Sequence, residues 1–179
     1  MIDLVESGTP VGEKTLWRTP RELLDAVEAR YGELHLDCAA SHGAEVCEQY
    51  LSPAFDALGA APGRWTDIAA GASRVAAPRL WLNPPWGAGI TKRWVDRAVA
   101  ELPHGPQAIF LLVPHSDAAW WWWGAQHASE VLHLGRVAFL RPNGEQCGQA
   151  RDWHDLMVLR DHAGWGAPRV LLQKWDWKP

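Results

Sequence analysis

The chain is short of the features that would place it in a membrane or outside the cell. Its longest apolar stretches fall well below the ~20 residues that cross a bilayer, and the acidic, interrupted N-terminus lacks the pattern of a signal peptide. Only three cysteines occur in 179 residues. That odd count reads as reduced thiols in a cytoplasmic protein, not as a disulfide framework. Repeats and low-complexity linkers are absent, so residues 1–179 are expected to form one domain with a full core. The G-x-G-x-x-G nucleotide fingerprint is missing too. What remains, 47% hydrophobic and 21% charged residues, is ordinary for a soluble globular protein.

A net charge of −4 argues mildly against a nucleic-acid partner. Its distribution argues the other way: residues 1–60 carry 11 acids and 4 bases, whereas the remainder carries 13 bases and 10 acids. Between Arg74 and Val99 five bases (Arg74, Arg79, Lys92, Arg93 and Arg97) face one acid, Asp96. A phosphate backbone would be drawn to that stretch. The competing reading is a solvated helix face, and Arg97 is assigned to it.

The same stretch contains Leu80-Trp81-Leu82-Asn83-Pro84-Pro85-Trp86-Gly87. The apolar run from Arg79 to Leu82 reads as a short buried strand. Two prolines, neither of which donates a backbone hydrogen bond, end it. Pro85 pushes Pro84 toward an extended conformation and frees its carbonyl. The strand end then offers an amide oxygen on Asn83, a backbone oxygen on Pro84 and the face of Trp86. An exocyclic amine on a nucleobase is a poor nucleophile because its lone pair is delocalised into the ring. Acceptors on both its hydrogens favour the pyramidal form that can attack. Trp86 would hold the base by stacking, worth roughly 1–3 kcal/mol, and its π face suits a cationic sulfonium. A Pro-rich turn followed by a core Trp is the structural alternative.

Asn83-Pro84-Pro85-Trp86 resembles the Asp/Asn-Pro-Pro-aromatic signature of the amino-methyltransferases, with Trp in place of the more usual Tyr or Phe. Trp17-Arg18-Thr19-Pro20 and Asp37-Cys38-Ala39-Ala40 precede it in the order seen in the phage-type DNA N6-adenine methyltransferases, which depend on S-adenosylmethionine. Asp56 followed by Trp65, and Gly135-Arg136 leading into Phe139, fit the same family. The resemblance thus covers about residues 16–160. It implies an α/β, Rossmann-like methyltransferase fold: a mainly parallel sheet with helices on both faces and an antiparallel C-terminal hairpin. Asn83, Pro84, Pro85 and Trp86 would be catalytic. Trp17, Thr19 and Pro20 would lie beside the methionine part of the cofactor, and Asp37, with Cys38 and Ala39, would receive its ammonium. Asp56 would meet its adenosine. The partner implied is double-stranded DNA with the target base turned out of the helix, in the cytoplasm of a bacterial host, the enzyme acting as a monomer or homodimer. Cytosine N4, RNA adenine and a protein glutamine are alternative acceptors, and a non-enzymatic, Trp-rich nucleic-acid-binding module is a different class of answer.

The rest of the chain supplies further expectations. Residues 1–15 form a loosely held arm. Thr19 caps a helix with Pro20 at its first position and Leu23, Leu24, Val27 and Tyr31 at helical spacing. Leu34 to Asp37 is a strand, with helix capping the alternative role for Asp37. Glu48 to Ser52 is a second strand, whose Glu48 suits ribose hydroxyls. Residues 59–78 are expected to be irregular. His35, Cys38, His42 and Cys47 match no common zinc spacing, and no metal is expected. Gly87-Ala88-Gly89 leads into a helix from Thr91 to about Leu102 whose Lys92 and Arg93 are candidates for phosphate contacts. Ala108 to Val113 is the clearest buried strand, and its end should lie beside Asn83. Trp120 to Trp123, if helical, cannot all face the core. Strands follow at 131–134, 136–140, 156–159 and 170–172. The intervening loop 141–155 suits target recognition, with Arg136, Arg141 and Arg151 as DNA-contact candidates.

Overall fold

The computed structural model describes residues 17–40, 43, 45–141, 143–147, 152–162 and 170–178. The N-terminal arm, His42 and Arg151 lie outside the described residues. Four α-helices and six strands are present among them: α1 (Arg21–Tyr31), β1 (Leu36–Asp37), α2 (Arg64–Ser73), β2 (Arg79–Leu82), α3 (Ile90–Glu101), β3 (Ala108–Pro114), α4 (Ala119–Gln126), β4 (Ala128–Gly135), β5 (His154–Leu159) and β6 (Leu171–Lys174). They build one mixed sheet in the order β1-β2-β3-β5-β4-β6. The pairs β1–β2, β2–β3 and β4–β6 are parallel, while β5 runs antiparallel to both β3 and β4. The expected antiparallel C-terminal hairpin corresponds to β4 and β5, but β5 is inserted between β3 and β4 and the last strand, β6, pairs parallel with β4.

Alternation along the strands divides the core into two layers. Leu80, Leu82, Ile109, Leu111, Val113, Val131 and Met157 face one side, where Trp65 of α2, Trp94 and Val95 of α3 and Trp121 of α4 cover them. Trp81, Phe110, Leu112, Leu132, Leu156 and Val158 face the other, beneath Leu23, Leu24 and Val27 of α1 and the segment holding Val137 and Phe139. Helices thus cover both faces. β3 is buried from Ala108 to Val113 because both layers meet it. Each large side chain sealed here contributes about 1.5–3 kcal/mol of hydrophobic stabilisation.

Several expectations change. Glu48 to Ser52 is no strand: it makes a single bridge, Asp37 with Tyr50, before Pro53 opens a 3-10 turn over Pro53–Phe55. Residues 136–140 are irregular apart from Leu140, which bridges Arg18 and Gln146. His154 and Asp155 belong to β5 and not to the preceding loop. Thr19 does not cap α1, which begins after Pro20 without a side-chain cap.

The stretch 59–78 contains α2, and its N-terminus is capped from a distance. Glu101 on α3 accepts from Gly63 N (2.8 Å), Thr66 N (2.7 Å) and Thr66 Oγ1 (2.7 Å). Gly63 has φ +91°, and a Cβ there would meet the His104 imidazole at 2.8 Å, so both backbone and space call for glycine. Arg97 completes the joint. Its guanidinium donates to Glu101 (2.7 Å), Ala60 O and Ala61 O (3.1 Å each), and lies 4.1 Å from the centroid of the Trp65 ring. Arg97 is buried, so it belongs neither to a solvated face nor to a DNA-binding one.

Candidate active site

Parallel pairing of β1 with β2 sets Leu36 against Leu80 and Asp37 against Trp81, so both strands end at the same edge of the sheet. Pairing of Leu82 with Leu111 brings the end of β3 to that edge as well. Ligands of open α/β sheets collect at such carboxyl ends. Here the edge carries Cys38-Ala39-Ala40 after β1 and Asn83-Pro84-Pro85-Trp86 after β2.

Alternation directs Asn83 to the α1 side, where its Nδ2 donates to Thr19 Oγ1 at 3.1 Å. That bond explains what Thr19 does instead of capping the helix. It fixes the amide so that Oδ1 remains for a ligand, since no other described residue takes it. Pro84 is buried, and Pro85 and Trp86 are half-buried. Trp86 packs edge-on against Phe139 (centroids 5.2 Å) and against His154 (5.0 Å), and its Nε1 donates to Leu112 O at 3.4 Å. Trp17 stacks on Phe139 at 6.1 Å. Backbone bonds between Arg18 and Leu140 in both directions fasten the 17–20 segment to this aromatic group. Two segments singled out separately, Trp17 to Pro20 and Gly135 to Phe139, are therefore brought together around Asn83 and Trp86. His154, expected in the polar 141–155 loop, is instead buried among these rings with its Nδ1 unpartnered among the described residues. Burial pushes its pKa down to about 4, so it is neutral at physiological pH.

On the other side of the same edge lies a cleft of about 230 Å³, lined by Cys38, Ala39, Asp56, Pro85 and Trp94 among others. Cys38 is fully buried and its thiol is pushed well up by that burial, so it packs as a small apolar group. Asp56, at φ 51°, is exposed and accepts from Gly59 N at 3.2 Å. Glu48 is exposed and is not among the lining residues.

Asp37 stands directly behind Cys38 and Ala39. Its Oδ1 accepts from Ala39 N (3.1 Å) and its Oδ2 from Val46 N (3.3 Å). It caps no helix; the two bonds clamp the loop that follows β1. Burial pushes its carboxyl up to about 7, the two backbone donors pulling down only partly and Glu45 adding to the rise. A cation placed against it would restore the charged form.

The candidate DNA contacts are dispersed. Lys92 and Arg93 are exposed on the first turns of α3, with Lys92 paired to Asp96. Arg136 and Arg141 are exposed beyond β4. The four tryptophans lie on α4, with Trp121 buried and Trp122 and Trp123 exposed. Of the cysteine–histidine set, His35 Nδ1 accepts from Arg79 N at 3.0 Å and Cys38 is buried in the core. The described residues that do gather metal-type donors are others: His115, His133 and Asp155.

Comparison with known proteins shows the family. The family model for DNA N-6-adenine-methyltransferase (Dam) matches residues 6–173, and the chain belongs to that family. A curated relative, the DNA N-6-adenine-methyltransferase of Escherichia phage T1, is 32% identical over 128 residues, which cover 72% of this chain and 48% of that protein. The chain thus spans about half the length of the curated relative it matches. No described helix is long and apolar enough to cross a membrane.

Proposed function

We propose that this chain is an adenine-specific DNA methyltransferase that transfers the methyl group of S-adenosylmethionine to the N6 amine of an adenine turned out of the duplex. The sheet is then a Rossmann-like methyltransferase fold acting as one domain in the cytoplasm of a bacterial host. The observation that carries the proposal is the position of Asn83: its amide, oriented by Thr19, stands at the carboxyl end of β2, on the strand edge whose other side holds the cleft lined by Cys38, Ala39, Asp56 and Pro85.

The residues fit the cofactor by their chemistry. Asp37 is a buried carboxylate short of positive charge, suited to the methionine ammonium. Small side chains after β1 let a ligand approach the backbone, and Asp56 lies where hydroxyls or an adenine edge could be bound. When bound, S-adenosylmethionine supplies an electrophilic methyl on a sulfonium. The protein's part is to prepare the acceptor. Asn83 Oδ1 and Pro84 O accept the two amine hydrogens and draw the lone pair out of conjugation. Trp86, braced by Phe139 and His154, stacks on the base. The proline pair keeps both acceptors rigid, which is the preorganisation that differential binding of a transition state requires. The amine proton becomes acidic as the N–C bond forms, so no strong base is needed. Lys92, Arg93, Arg136, Arg141 and Arg151 are proposed to meet the DNA backbone.

Incubation with methyl-labelled cofactor and unmethylated duplex DNA, followed by digestion to nucleosides, tests the proposal. Label in N6-methyl-2′-deoxyadenosine supports it. Label in N4-methylcytosine, in RNA only or in protein would move the substrate assignment, and no label together with no thermal shift by the cofactor would point to a binding module.

A further inference from the structure

We propose that His115, His133 and Asp155 form a binding site for one divalent first-row transition ion of the zinc class. Sheet geometry assembles the three. Asp155 on β5 is paired across the ladder with Val113 of β3 on one side and His133 of β4 on the other. His115 stands two residues beyond Val113, on the same face. One donor atom from each residue lies within 4.8 Å of the others. Asp155 Oδ2 meets His115 Nδ1 at 2.7 Å and Oδ1 meets His133 Nδ1 at 2.6 Å, and the two imidazoles are 5.4 Å apart between centroids, nearly perpendicular.

Charge supports the assignment. Asp155 is only 1% exposed, yet its described hydrogen-bond and ion-pair partners are the two imidazoles and the Trp121 indole N–H, 2.8 Å from Oδ2. A buried carboxylate needs compensation, and among the described residues Asp155 has no Lys or Arg partner, only two metal-type imidazole nitrogens and an indole N–H. Glu101 shows the contrast, since it has Arg97. A divalent ion shared by the three residues would neutralise Asp155 while Trp121 orients it from outside the ligand set, as outer-shell donors do at metal sites. Two imidazoles and one carboxylate favour Zn²⁺, Co²⁺ or Ni²⁺ over the oxygen-seeking Mg²⁺ and Ca²⁺. The His115 side chain is 49% exposed, which leaves a route for the ion and room for water at the remaining positions. The site would tie the segment after β3, which leads into the tryptophan helix, to β4 and β5. His154, beside Asp155, packs on Trp86, so the tie would brace the wall behind the candidate catalytic ring.

The test uses tag-free, full-length protein stripped with chelator and titrated with Co²⁺, Zn²⁺ and, as a control, Mg²⁺. One equivalent of Co²⁺ should give visible absorption bands that Zn²⁺ displaces and Mg²⁺ does not produce. Zn²⁺ at a hundredfold excess over its Kd should raise the unfolding midpoint by roughly 5–10 °C. His115→Ala, which should fold because the ring is half-exposed, and His133→Ala should each lose both responses while keeping the native far-UV circular dichroism. Absence of a stoichiometric ion in the native chain would overturn the site. Undiminished binding in both variants would do so too, since the ion would then sit elsewhere, for example on the cysteines.

Discussion

Glu101 is fully buried and Asp37 is 4% exposed, yet the two carboxylates are provided for differently. Glu101 accepts four hydrogen bonds, one from the Arg97 guanidinium, and so joins α2 to α3 as a closed unit. Among the described residues Asp37 accepts from two backbone amides, and burial leaves its carboxyl near pH 7. One buried carboxylate is answered by a guanidinium within the protein; the other has only backbone amides among the described residues. Groups perturbed by burial in this way cluster at functional sites, which is consistent with the role proposed above for Asp37.

Breaking the closed unit should have the largest effect on stability. Glu101→Gln leaves Arg97 buried without its counter-charge and removes a strong cap from α2. The loss should be about 3–5 kcal/mol, read from urea unfolding, with cofactor binding by the folded fraction retained. Asp37→Asn should do the reverse. Stability near neutral pH should change little, while cofactor affinity measured by calorimetry falls roughly 10- to 100-fold, the worth of a hydrogen bond between charged groups.

The pH dependence sharpens the same contrast. Because the folded Asp37 carboxyl titrates at about 7 and its ordinary value is 3.8, its contribution to stability is complete below about 3.8 and is lost as pH rises to about 7. His154 works oppositely: its folded value of about 4 lies below 6.5, so its contribution is present above 6.5 and lost as pH falls through about 4. The two slopes partly cancel in the native chain, and Asp37→Asn should expose the rising His154 limb in unfolding free energy measured from pH 4 to 6.5. Cofactor affinity, in contrast, should increase with pH through about 7 and lose that dependence in the same variant.

Smaller effects are expected at the periphery of the site. Thr19→Val releases the Asn83 amide and should slow transfer about fivefold, the worth of one ~1 kcal/mol hydrogen bond. Thr19→Ser should restore the rate. Lys92→Ala and Arg93→Ala should each weaken DNA binding modestly and evenly across sequences. Each should also reduce the salt dependence by about one phosphate contact, as read by binding titrations at several salt concentrations.

Local chemistry made part of this legible in the sequence. The strand at Arg79–Leu82, the proline stop, the charge-free run of β3 and the periodicity of α1 each depend on neighbours in the chain. Long-range partners hid the rest. α2 reads as Ala/Gly-rich filler because its cap is Glu101, 38 residues from Gly63. Thr19 resembles a helix cap because its partner Asn83 lies 64 residues away. Arg97 reads as surface charge until Trp65 and Glu101 close over it. His115, His133 and Asp155 carry no spacing signature, since only the insertion of an antiparallel β5 between β3 and β4 makes them neighbours.

If Asn83 prepares an exocyclic amine for methylation, paired assays of native protein and Asn83→Ala will separate transfer from cofactor binding. With labelled cofactor, duplex DNA and a parallel calorimetric measurement of cofactor binding, the native chain should label adenine. The variant should bind the cofactor as before while transfer falls by at least on the order of 10²–10³-fold. Transfer undiminished in Asn83→Ala would contradict the account.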